Sequence, residues 1–139
     1  MTPATRKSTP ARYDHVRTSH KNEMAEDYVE LIAELIDSAG EARLVDIAGR
    51  LGVSHPTANK VIGRLQREGL VTSLPYRAIF LTDEGQALAA EARRRHRIVY
   101  DFLVSIGVSA ETAELDAEGI EHHVSEETLS ALEGMTRGR

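Results

Sequence analysis

The sequence predicts a mostly α-helical fold with a small β-hairpin wing: a winged helix-turn-helix followed by an α-helical domain. Three observations carry this. The stretch "RLVDIAGRLGVSHPTANKVIGRLQREGLV" reads as two short helices about a tight turn. Directly after it, "LVTSLPYRAIFLT" reads as two strands and a tip. Helical apolar spacing resumes beyond that, with a Ser or Thr ahead of each run. The interior available is Leu, Ile, Val and Ala without Trp, which suits helices.

Residues 1–20 read as a flexible tail, with Pro3, Pro10 and four basic residues against Asp14. They carry no apolar periodicity, and plain disorder and an accessory phosphate-touching arm are both open. A first helix is expected from Asn22 to Ser38. Met24, Tyr28, Leu31, Ile32, Leu35 and Ile36 form its apolar face, and Gly40 stands at its stop. Beside that face Glu23, Asp27, Glu30 and Glu34 fall within about 60° of one another at roughly 100° per residue. The next helix, Leu44–Leu51, buries Leu44, Ile47, Ala48 and Leu51, and Gly52 permits the turn after it. Ser54 caps the following helix, and Pro56 sits in its first turn, where a missing N–H costs nothing. Ala58, Val61, Ile62 and Leu65 are its buried stripe, and Gly69 ends it. Strands Leu70–Leu74 and Ala78–Thr82 flank the tip Pro75-Tyr76-Arg77. Thr82 then caps a long helix running to Gly107, with Asp83 and Glu84 where the helix dipole favours acids. Ser109 and Ser125 cap two more, Ala110–Val124 and Glu126–Met135.

The formal net charge of −5 argues against a simple basic nucleic-acid binder, but the charge is unevenly spread. Residues 53–81 hold Lys60, Arg64, Arg67 and Arg77 against Glu68 alone, whereas residues 105–139 hold eight acids against two arginines. One part suits phosphates, and another suits a cation. There is no long apolar run to span a membrane and no signal-peptide pattern. The absence of cysteine removes disulfides and thiolate ligands and fits a cytoplasmic chain.

In a helix-turn-helix the second helix enters the major groove with its N-terminal residues at base edges. Here those residues are Ser54, His55, Pro56, Thr57, Asn59 and Lys60. Asn pairs bidentately with adenine, and Thr and Pro pack on thymine methyls. Lys60 and Arg64 suit phosphates or guanine, and Tyr76 and Arg77 at the tip suit the backbone or the minor groove. A winged helix used only for protein contacts is the competing reading.

The stretch "DAEGIEHH" works against its own helix. Glu118, Glu121 and His122 fall at i, i+3 and i+4, like charges at that spacing repel, and Gly119 costs about another 1 kcal/mol. Two carboxylates and an imidazole on one face suit metal capture, with Gly119 allowing another element to approach closely. Asp27 and Glu30 alone read better as a solvated face, and His96 alone as a surface or core histidine. Asp116 and His123 point elsewhere on the helix.

Taken together, "EDYVELI", "VSHPTANKVIGRL", "FLTDEG", "RRRHRIVYDFL", "IGVSAE" and "DAEGIEHHVSEE" make the chain resemble the DtxR/MntR family of metal-dependent repressors over about residues 24–130. The resemblance implies a homodimer on operator DNA, with a DNA-binding part over residues 21–90 and a helical metal-binding and dimerisation part over 91–139. It implies a two-metal site per subunit made by Asp27, Glu30, His96, Glu118, Glu121 and His122, with Glu30 and Glu121 bridging. The iron-responsive branch has Met and Cys at the positions of Asp27 and Glu118; oxygen there suits Mn²⁺, and Fe²⁺ or other divalent ions are the alternative. The function implied is Mn²⁺-dependent repression of manganese-uptake genes, with no enzymatic activity, no membrane partner and no small organic substrate. The rivals are an iron- or mixed-metal-responsive repressor and a metal-independent winged-helix repressor. A di-metal hydrolase is disfavoured because there is no HExxH pattern. The chain leaves no room for the SH3-like third domain of longer members, and its last helix ends early.

Overall fold

The structure is a computed structural model that describes residues 10–138, with side chains from residue 21 onward. Helix α1 spans Pro10–Ala39. It therefore starts well before the expected Asn22, and the part of the expected tail from Pro10 onward is helical; residues 1–9 lie outside the described residues. Pro10 is the first residue of the helix, a position that needs no N–H, and no Gly or Pro interrupts the run from Ala11 to Ala39. The helix extends past its apolar face, so apolar periodicity could not reveal its beginning.

Helix α2 (Leu44–Leu51) and helix α3 (His55–Arg67) form the helix-turn-helix about Gly52, which is left-handed at φ 68°. The Ser54 side chain accepts from the Thr57 N–H, and Ala58, Val61, Ile62 and Leu65 are buried as the spacing predicts. The wing is shorter than expected. Strand β1 (Val71–Thr72) pairs antiparallel with strand β2 (Phe80–Leu81), with Val71 opposite Leu81 and Thr72 opposite Phe80. Ile79 spends its hydrogen bonding on Ala42 instead, as an isolated bridge with its N–H 2.8 Å from the Ala42 carbonyl. Tyr76 turns the tip at φ 62°.

Helix α4 (Asp83–Ser105) is capped by Thr82, whose hydroxyl accepts from the Gly85 N–H. It runs unbroken through residues 90 and 91, where the sequence reading parted the two functional units. Helix α5 (Ala110–Ile120) is capped by Ser109, and helix α6 (Glu126–Arg137) by Ser125. The expected continuation of α5 to Val124 does not form: Glu121–His123 make a single 3-10 turn, and Val124 is extended at φ −106°, ψ 143°. The Arg95 guanidinium on α4 donates to the carbonyls of Glu121 (2.9 Å) and Val124, holding backbone oxygens that the broken helix leaves free.

Two apolar cores sit either side of α1 and α4. Ile32, Ile47, Leu65, Val71 and Ile79 centre the first, under the helix-turn-helix and wing. Ile98, Val99, Ala117 and Leu129 form the second, among α4, α5 and α6. Val29 and Ala33 of α1 pack on Ala89 of α4 between them. That seam fixes the acidic side of α1 against the 3-10 turn. Among the described residues no helix is long and apolar enough to cross a membrane.

Candidate metal centre and nucleic-acid interface

The 3-10 turn delivers two adjacent side chains into the seam between α1 and α4. Glu121 and His122 are buried, with side-chain exposures of 1% each. Glu121 Oε2 lies 2.7 Å from His96 Nδ1, and Glu118 Oε1 lies 3.7 Å from the same nitrogen. His96, Glu118 and Glu121 thus form one group with a ligand atom each within 4.8 Å of the others. His122 faces the other way. Its Nε2 is 3.0 Å from Asp27 Oδ1, and its Nδ1 pairs with Glu26. Glu23, Asp27 and His122 make a second such group. Glu121 Oε1 stands 3.4 Å from His122 Nε2 and links the two.

Glu121 Oε1 is buried without a hydrogen-bond partner, and His122 Nε2 is buried with the Asp27 carboxylate close by but no well-aligned hydrogen bond. Leaving a buried oxygen unpaired costs free energy, and the two atoms face one another in a nest of carboxylates, which is the condition a divalent cation relieves. The donor set is carboxylate oxygen and imidazole nitrogen with no sulfur, which fits a hard or borderline ion.

The electrostatics agree. Burial pushes the Glu121 carboxyl up to about 7, with Glu118 and Glu30 adding to it and His96 opposing. Burial raises Glu118 too, and His96 opposes that. Burial would lower His96, but Glu121, Glu114 and Glu118 outweigh it and hold the imidazole above its usual value. Burial likewise opposes charge on His122, yet Asp27 and Glu26 lift it to about 10. Glu30 is raised by burial first and then by Glu118 and Glu34. It feels this cluster, yet it falls in neither group of three.

Of the residues singled out from the sequence, Asp27, His96, Glu118, Glu121 and His122 are brought within reach of one another and Glu30 stands beside them. Glu118 ends α5 while Glu121 and His122 belong to the turn, so the single helical face expected for the three is not what gathers them. Within the subunit nothing approaches Gly119 closely: a Cβ there would meet nothing within 4 Å. Sequence reasoning missed Glu26 and Glu114, which hold the outer nitrogens of the two histidines; Glu114 Oε1 is 2.9 Å from His96 Nε2. Nothing local in the sequence marks these partners, because each contact joins distant elements.

On the opposite face, His55, Pro56 and Asn59 of α3 line a groove with Tyr76 and Arg77 of the wing. Tyr76 is fully exposed. Lys60 is exposed on the same helix, while Ser54 and Thr57 are occupied in the cap, their hydroxyls 2.9 Å apart. Arg64 turns inward. It donates to the Lys21 carbonyl at 3.2 Å and lies 3.3 Å from Glu68, so it braces α3 on α1.

Residues 21–79 match the family model for the N-terminal DNA-binding domain of iron-dependent repressors, and residues 82–137 match the model for their metal-binding and dimerisation domain. The chain is 54% identical over 125 residues to the transcriptional regulator MntR of Escherichia coli O157:H7, covering 90% of this chain and 81% of that one. It is 53% identical over 125 residues to the regulator of the same name from Salmonella typhimurium, covering 90% and 80%. Among solved structures it resembles a manganese-dependent transcriptional repressor in complex with manganese, at TM-score 0.74 and 32% identity. That match covers 81% of this chain and 52% of the solved one, so the chain spans about half the length of that structure.

Proposed function

We propose, since the chain belongs to the iron-dependent repressor (DtxR/MntR) family, that it is a homodimeric, Mn²⁺-responsive repressor of manganese-uptake genes, acting on operator DNA in the cytoplasm. It is a regulator and not an enzyme. The observation that carries this reading is the buried pair Glu121 and His122, with Glu121 Oε1 unpartnered, between two groups of ligand side chains. Asp27, Glu30, His96, Glu118, Glu121 and His122 are the proposed ligands of two ions per subunit, with Glu121 between them. Bound Mn²⁺ supplies four positive charges against the four carboxylates of that set.

The residues do the switching. Asp27 and Glu30 ride on α1, His96 on α4, and Glu118, Glu121 and His122 at the end of α5. Without metal, protonated imidazoles offset part of the carboxylate charge across the seam; bound ions would take their place and fix α1, and with it α3 and the wing, against the half of the chain built on α4, α5 and α6. In a dimer that sets the spacing of two recognition helices to match two half-sites. The ligand types alone do not favour Mn²⁺ over ions later in the divalent series, so preference arises from which ion closes this geometry.

DNA affinity measured against each divalent ion in turn tests the reading. Mn²⁺ is expected to tighten operator binding by about 100-fold or more over chelator, a coupling near 3 kcal/mol. Equal affinity in both conditions would refute the switch, and a response to Fe²⁺ alone would move the chain to the iron-responsive branch.

Loading is also expected to release protons. His122 holds its proton to about 10 and Glu121 titrates near 7, so both are protonated wholly or in part at neutral pH. Metal affinity therefore rises with pH, and about one to two protons leave per subunit at pH 7. Calorimetry of Mn²⁺ binding in buffers of different ionisation heat reads that number directly.

At the DNA face, Asn59→Ala should cost about 1–3 kcal/mol on the operator and relax specificity at one base pair. Lys60→Ala should weaken binding to all sequences alike and lower the salt slope by about one. Titrations on operator and scrambled DNA at two salt concentrations separate the two.

A further inference from the structure

We propose that Glu23 is a metal ligand of the outer group, joining Asp27 and His122 on one of the two ions; this rests on the metal-responsive reading above. Glu23 lies one helical turn before Asp27 on α1 and presents a carboxylate oxygen within 4.8 Å of the ligand atoms of Asp27 and His122. His122 supplies the independent pointer. Its side chain is 1% exposed, Glu26 occupies its Nδ1, and its buried Nε2 makes no well-aligned hydrogen bond but lies 3.0 Å from Asp27 Oδ1 in this group. The buried imidazole thus already meets one carboxylate of the pair, and the second lies one helical turn away with an oxygen in the same group.

The geometry also accounts for the doubled histidine. His123 sits outside the seam with its Nε2 3.3 Å from Glu23 Oε2. Consecutive histidines therefore grip the two sides of the same site: His122 as a donor to the ion, and His123 as a positioning residue that holds the Glu23 carboxylate. Like charges four residues apart on a helix destabilise it when bare. A cation shared by Glu23 and Asp27 reverses that sign. Oxygen from two α1 residues, nitrogen from the turn and the nearby Glu121 Oε1 make a set for a hard or borderline divalent ion.

The test is a titration of the whole chain with Mn²⁺ alone, followed by calorimetry and by the electron paramagnetic resonance signal of free Mn²⁺. Glu23→Gln is expected to lower affinity for one of the two ions at least about tenfold while the other binds as before, and Glu23→Asp to fall between. His123→Ala, which keeps the carboxylate, should retain both ions with the outer one weakened less than by Glu23→Gln. If Glu23→Gln binds both ions with parental affinity, or loses both, the proposal is overturned. Asp27→Asn run in parallel keeps the two readings apart. Loss of an ion in Asp27→Asn but not in Glu23→Gln removes only Glu23, whereas no loss in either removes the metal assignment of this group altogether.

Discussion

Glu121→Gln is expected to make the metal-free protein more stable at pH 8 and to abolish its stabilisation by Mn²⁺. The two effects have opposite signs and one origin. In the fold Glu121 titrates near 7 instead of its ordinary 4.5, chiefly because it is buried. A carboxyl whose folded pKa is raised binds its proton more tightly folded than unfolded. Stability is therefore lost as pH rises from the unfolded value through the folded one, that is from about 4.5 to about 7. Above that window the cost is on the order of 3 kcal/mol. Glutamine keeps the shape and removes the charge, so about 1–3 kcal/mol should return at pH 8 and almost none at pH 4. With metal the order inverts. Removing a buried charged partner of the ions should weaken binding by about 100-fold or more, and the linked stabilisation goes with it. Thermal melts of parent and variant at pH 4 and 8, with Mn²⁺ and with chelator, give eight midpoints. A lower metal-free midpoint for the variant at pH 8, or an equal Mn²⁺ shift in both proteins, would show that Glu121 does not hold the centre.

Gly85→Ala is expected to be the most damaging single methyl in the chain. Gly85 lies in the first turn of α4 with its N–H on the Thr82 hydroxyl at 3.0 Å. A Cβ there would collide with the Leu70 carbonyl oxygen and stand 3.2 Å from Leu81 Cδ2. That carbonyl already accepts from the Thr82 N–H at 3.1 Å, and the Thr82 hydroxyl donates to the Gly69 carbonyl at 2.7 Å. Backbone meets backbone, so no side chain can give way. The cost should be about 2–4 kcal/mol, a fall of about 10 °C in Tm. Gly49→Ala is the control. It sits within α2, where a Cβ meets nothing within 4 Å, and should be neutral or stabilising by up to about 1 kcal/mol. A Gly85→Ala melt within 2 °C of the parent, by that same scale, would show that the joint between wing and α4 can yield.

Local signals in the sequence were enough for most of the fold. Ser54, Thr82, Ser109 and Ser125 were each read as caps, and each side chain accepts from the backbone N–H three residues on. The buried stripe of α3 follows from spacing alone, because an amphipathic helix on a core has one way to face. The start of α1 was hidden because the sequence ahead of Asn22 carries no apolar periodicity to mark a helix. The end of α5 was hidden because it depends on Arg95, which is distant in sequence from the carbonyls it holds. Glycines were legible only in part. Gly52 has the left-handed backbone its turn demands, Gly119 has open space where close approach was expected, and Gly85 gave no sign of being the crowded one. For the candidate centre, residue types pointed to a cation, but the pairing of Glu26 with His122 and of Glu114 with His96 is tertiary and has no local signature.

Glu121 and His122 are consecutive, so a single peptide bond joins the two ligand groups. Whatever orders that bond for one ion has already ordered it for the other, and the conformational entropy of holding the turn is lost once.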